Sequence, residues 1–116
     1  MNRKDKEILL KLLKHAENVK DFISDVKDKS VFVNNSMIIY ATAFELLQIG
    51  ELAKKQLSDD IKKDIDGIPW DSIYGLRNRI VHGYDSVDQS ILWETVTEDV
   101  PVLAEELKEY LKRSNS

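Results

Sequence analysis

Cysteine is absent from this chain, so neither a disulfide framework nor thiolate chemistry for metals or redox is available to it. Its 116 residues suffice to build one apolar core without covalent staples, and residues 1–116 read as a single domain with no repeat, linker or low-complexity tract. Glycine (four) and proline (two) are scarce. With so few turn-formers, the apolar residues recur at helical rather than strand spacing. Only two histidines occur, His15 and His82, on different predicted helices and without metal-ligand spacing. Glycine-rich phosphate loops and dinucleotide fingerprints are missing. No metal and no cofactor is therefore expected. Long apolar runs are lacking too: the longest uncharged stretch, Ser30 to Phe44, is too short to span a bilayer and contains two asparagines. The first residues, Met1 to Lys6, are charged and show no signal peptide, so the expectation is a soluble, cytoplasmic protein with no membrane contact.

Net basic charge is also lacking. A formal charge of −4 argues against a protein that coats nucleic acid, but not against a small local basic site. Much of the acidity sits late in the chain, at Glu94, Glu98, Asp99, Glu105, Glu106 and Glu109, which reads as a solvated helix face or a face for a basic partner. The pairs Asp59/Asp60 and Asp64/Asp66 are better explained by a short, capped, charged helix than by a cation site.

What is present is helix. A first helix is predicted from about 5 to 29, with the stripe Ile8, Leu9, Leu12, Leu13, Ala16, Val19, Phe22, Ile23 and Val26. A second starts at Asn35 or Ser36 and reaches about Gln56. A short one follows Ser58 and stops before Gly67; a fourth has Pro69 in its first turn, runs to His82 and ends on Gly83. Ser86 or Asp88 opens the fifth, which Pro101 should kink or split. The fold expected is all-α, an up-and-down bundle of four to five helices. The second helix is apolar almost all round, from Met37, Ile38 and Ile39 through Phe44 and Leu47 to Ala53, and such a helix must be buried on more than one side. In so small a bundle, the second side is expected to meet another copy of the chain, giving a homodimer. Trp70 and Trp93 are read as core or interface anchors rather than platforms for stacking bases.

The segment Arg77-Asn78-Arg79-Ile80-Val81-His82-Gly83-Tyr84 stands out against this background. An imidazole can take or give the proton of an RNA 2′-hydroxyl near neutral pH. A guanidinium can clamp the phosphate and stabilise the charge that builds on it. A cationic helix C-terminus, favoured by the macrodipole, is the plainer explanation of the same residues. At about 100° per residue, Asn78 and Arg79 share faces with His82, whereas Arg77, five residues away, is turned about 140° from it. Either the long arginine bends round the helix, or a two-fold axis brings motifs from two chains into one cleft.

The stretches Ile68-Pro69-Trp70 and Tyr74-Gly75-Leu76-Arg77 to Tyr84 closely resemble the HepT-like proteins, the HEPN-domain toxins of HEPN/minimal-nucleotidyltransferase toxin–antitoxin modules. The family pattern of arginine, four residues, histidine, one residue and tyrosine is matched by Arg77, His82 and Tyr84, with a polar Asn78 after the arginine. Gln48-Ile49-Gly50-Glu51 and the stretch from Ile91-Leu92-Trp93-Glu94 to Glu98-Asp99-Val100-Pro101 look similar to the same family. The resemblance implies a metal-independent endoribonuclease acting on RNA, with a composite site at a homodimer interface. It implies His82 as general acid/base and Arg77 as the phosphate-binding, charge-stabilising group, with Asn78 and Arg79 in support. Glu51 either lies by the site or pairs structurally with Arg77 or Arg79; Gly50 beside it suggests a close helix approach. The resemblance also implies control: a cognate minimal nucleotidyltransferase antitoxin transfers AMP (AMPylation) onto Tyr84. The competing expectation is a non-catalytic dimeric helical module that binds a partner protein or nucleotide.

Overall fold

The computed structural model describes residues 1–83 and 87–114. Among them every regular element is helical and none is a strand. The elements are α1 (Arg3–Ile23), α2 (Lys29–Val33), α3 (Ser36–Lys55), α4 (Asp59–Asp64), α5 (Trp70–His82), α6 (Gln89–Glu94), a π segment (Thr95–Asp99) and α7 (Val100–Ser114). Asn35 caps α3 by accepting from the Ile38 N–H, Ser58 caps α4 through Ile61, and Asp88 caps α6 through Ser90. Pro69 occupies the N-cap position of α5 and Gly83 its C-cap, with the positive φ of 143° that glycine tolerates.

One expectation needs correcting and another refining. The first helix does not reach residue 29. It stops at Ile23, and the chain restarts as the short α2, capped by Asp28. The reason is tertiary: Phe32 is fully buried with its ring 5.1 Å from that of Trp93, a position one continuous helix would not give it. Secondly, the split expected at Pro101 is present but lies ahead of the proline. α6 and α7 are parted by the π segment, which ends at Asp99 with the Val100 N–H reaching back to the Thr95 carbonyl, so that Pro101 falls in the first turn of α7 where a missing N–H is tolerated.

The long helices share one core. Leu9, Leu12, Ala16 and Val19 of α1 meet Ile49 and Ala53 of α3 and Leu103, Ala104 and Leu107 of α7, all within a few per cent of full burial. Asp5 ties the start of α1 to the α4 cap by accepting from the Ser58 N–H and hydroxyl at 3.2 and 3.0 Å. Trp70 anchors α5, its indole N–H donating to the Lys62 and Ile65 carbonyls. No helix among the described residues is long and apolar enough to cross a membrane.

α3 is the element that positions the site. Its inner face is buried, yet Met37, Tyr40 and Phe44 stand 78%, 54% and 58% exposed at positions i, i+3 and i+7. Ile80 of α5 lies beside Tyr40 and Phe44 at the edge of this stripe.

Candidate active site

α5 buries Ile73, Leu76 and Ile80. That spacing leaves the next residue after Leu76 at the edge of the buried face, so Arg77 points along the seam with α3 rather than out to water. Ile80 packs beside Tyr40, Ala43, Phe44 and Leu47, while Arg77 lies against Gly50. Partners on α3 fall in number as α5 advances, so the two helices are antiparallel.

Gly50 is what permits the approach. A Cβ there would stand 2.6 Å from Arg77 Cγ and closer still to Arg77 Cβ. With no side chain at position 50, the arginine stem lies on the α3 backbone and its head reaches the next residue. Arg77 Nε donates to Glu51 Oε1 at 2.6 Å, Nη2 pairs with the same oxygen, and Nη1 donates to Asn78 Oδ1 at 2.8 Å. The other Glu51 oxygen holds Lys55 Nζ at 2.8 Å. The hydrogen bond from Lys55 first, and that from Arg77 second, hold the Glu51 carboxyl below the ordinary carboxylate range. Among the described residues Glu51 thus pairs with Arg77 and not with Arg79, and by that pairing it also lies beside the candidate site.

The structure thus brings together Arg77, Asn78 and Glu51. His82 is exposed on the last turn of α5, next to Gly83, where carbonyl dipoles favour a cation. It makes none of the contacts that fix Arg77, in keeping with the five-residue separation. Arg79 faces elsewhere. It lines a cleft of about 490 Å³ with Asp71, Glu94 and Asp99, between α5 and the π segment. Burial, and then the nearby Glu94, push the Asp99 carboxyl above its usual range. Tyr84, the expected modification site, lies outside the described residues. Lys55 is the residue that reading the sequence missed. Its signal was available, because a glutamate four residues ahead of a lysine on one helix is a favourable pair.

Comparison with known proteins agrees with the motif. The family described as Ribonuclease HepT-like matches residues 12–110. A candidate RNase of Methanocaldococcus jannaschii is 37% identical over 109 residues, covering 93% of this chain and 98% of that protein. A second from the same organism is 32% identical over 107 residues, 92% of this chain and 90% of the relative. A Thermococcus cleftensis protein named as a ribonuclease HepT is 31% identical over 103 residues, 89% and 92% of the two chains. No solved structure matches. With almost the whole length matched, and Arg77, Asn78 and His82 set on one helix against α3, the chain belongs to the HepT-like ribonuclease family.

Proposed function

We propose that the protein is a metal-independent endoribonuclease, the toxin of a toxin–antitoxin pair, working as a homodimer. The observation that carries this reading is Arg77, fixed by Glu51 and Asn78 at the α3–α5 seam, with His82 exposed further along the same helix. His82 takes the proton of a 2′-hydroxyl, whose oxygen attacks the adjacent phosphorus. The bond to the 5′-oxygen breaks, that oxygen receives a proton from the second copy of His82, and the products are a 2′,3′-cyclic phosphate and a 5′-hydroxyl. Arg77 holds the phosphate and stabilises its developing charge. Asn78 orients Arg77.

The dimer is supported by the Met37, Tyr40 and Phe44 stripe, whose exposure in a single chain is what a self-complementary contact would cover. A contact along that stripe, close to Ile80 of α5, would bring the two motifs towards one cleft. Control rests on the family and on Tyr84, two positions after His82 in the sequence. The phenol oxygen attacks the α-phosphate of ATP held by a minimal nucleotidyltransferase, and pyrophosphate leaves. The added AMP carries an anion that competes with the RNA phosphate for the cationic site.

The test is cleavage of cellular RNA in EDTA by wild type, His82→Ala and Arg77→Ala. Wild type should cut. Each variant should lose at least about a hundredfold while remaining helical by circular dichroism. Strict dependence on a divalent ion would overturn the mechanism. One observation favours the second reading, a non-catalytic binding module: Arg77 is only 15% exposed and spends most of its donors inside the protein. RNA left intact by wild type would decide for it.

A further inference from the structure

The two cations on Glu51 are short of one negative charge. Arg77 and Lys55 bring two positive charges to it and Glu51 supplies one negative, so the cluster carries a surplus of +1. The other shared carboxylate in the molecule does not behave this way. Glu17 pairs with Lys108 at 2.9 Å and Lys20 at 3.9 Å, but Glu105 lies 3.7 Å from Lys108 and balances the count. The surplus around Glu51 is also unevenly placed. The Arg77 side chain is 15% exposed and largely committed, whereas that of Lys55 is 61% exposed, and two of its three ammonium protons lie outside the Glu51 contact.

Position adds direction to charge. On antiparallel helices, His82 lies five residues beyond Arg77 along α5, and Lys55 lies five beyond Gly50 along α3 the opposite way. At about 1.5 Å per residue their backbone positions are displaced about 7–8 Å to either side of the Arg77 level, while the Lys55 ammonium reaches back to Glu51 at 2.8 Å and so stands beside the Arg77 guanidinium on the same carboxylate. An RNA strand with its scissile phosphate between Arg77 and His82, and its next phosphate on the other side of Arg77, would bring that second phosphate to the exposed Lys55 ammonium. Its single negative charge is the one that the cluster lacks.

We infer that Lys55 is a second phosphate-binding residue, holding the phosphate that flanks the scissile one on the side away from His82. This rests on the ribonuclease reading above. Lys55 touches no reacting atom, so it contributes affinity and strand register rather than bond cleavage.

The experiment uses a labelled single-stranded RNA that spans a cleavage site mapped on cellular RNA, with a 2′-O-methyl group at the cut position to prevent turnover. Binding is followed by fluorescence anisotropy over a salt series for wild type, Lys55→Ala and Lys55→Arg. Lys55→Ala should bind more weakly and lower the slope of log affinity on log salt by about 0.7, one phosphate contact to a single strand. Lys55→Arg should restore the slope. Replacing one flanking phosphate by a neutral methylphosphonate should weaken wild type but leave Lys55→Ala unaffected. With the natural RNA, Lys55→Ala should raise KM and leave kcat within about twofold. Cleavage by wild type with an unchanged slope in Lys55→Ala overturns the Lys55 assignment alone and makes the lysine a helix-surface partner of Glu51. Absence of both cleavage and binding in wild type overturns the ribonuclease reading, and Lys55 with it.

Discussion

α3 carries two partly or fully buried glutamates that do opposite things. Glu45 turns towards α1, where His15 Nδ1 lies 2.5 Å from one carboxylate oxygen and Asn18 Nδ2 donates to the other at 3.1 Å. Glu51, six residues on, turns towards α5 and takes Arg77 and Lys55. Each carboxylate has both oxygens occupied. Around Glu45 the partners are one neutral amide and one imidazole, deep in a seam. Around Glu51 they are two permanent cations at the edge of solvent. The first arrangement uses both carboxylate oxygens in joining α3 to α1. The second leaves positive charge and hydrogen-bond donors over, which is what recognition of an anion requires. The helix–helix clamp and the candidate site are thus built from the same part and differ in what surrounds it.

The sharpest way to break the comparison is Gly50→Ala. Helix propensity alone would favour alanine by about 1 kcal/mol, but the new methyl group meets the Arg77 stem. Overpacking of this kind should cost about 1–3 kcal/mol in urea unfolding and displace Arg77, with loss of most RNA cleavage. A variant as stable and as active as wild type would show that Arg77 is not held by this contact. Glu45→Ala comes next. It strips the acceptor from His15 and Asn18 and should cost about 1–2 kcal/mol, less than a sealed site because water reaches His15. Per folded molecule, RNA cleavage should stay at the wild-type level, and a fall in kcat would mean that the two seams are coupled.

The smallest effect is one of pH. Because Lys55 and Arg77 depress the Glu51 carboxyl in the folded chain, its stabilising contribution is complete above the ordinary carboxylate range. Comparing wild type with Glu51→Gln, the stability difference should begin to shrink as pH falls through that range and vanish below the depressed value. Added salt should reduce it throughout, since the pair reaches solvent. A difference that grows on acidification would contradict the assignment.

These seams were only partly legible in the sequence. The stripes of α1, α3, α5 and α7 follow from spacing, and the caps at Asn35, Ser58 and Asp88 follow from residue type. The divergence of Arg77 from His82 was visible as simple helical arithmetic. What escaped depends on neighbours distant along the chain. The break before α2 has neither glycine nor proline to mark it and exists because Phe32 finds Trp93. The split at Pro101 was expected, but not its form, a π segment closed by the Val100 bond to Thr95. The direction of Arg79, away from the Glu51 seam, needed the placement of Glu94 and Asp99. Lys55 was passed over because one lysine in a charged helix end looks like solvation until the second cation on its carboxylate is seen.

One consequence of α3 concerns which length changes this family can tolerate. Within one 20-residue rod, a face towards α1, a face towards α5 and an apolar outer stripe are all committed. A single residue inserted between Leu47 and Gln48 would rotate everything beyond by about 100° and carry Gly50 and Glu51 off the α5 seam while Glu45 stayed in place. No compensating shift elsewhere restores both halves. The connection from Ser24 to Asp28 has no such phase to keep. An insertion in that connection should leave the α3–α5 seam intact, and α3 acts as the fixed ruler against which Arg77 is measured.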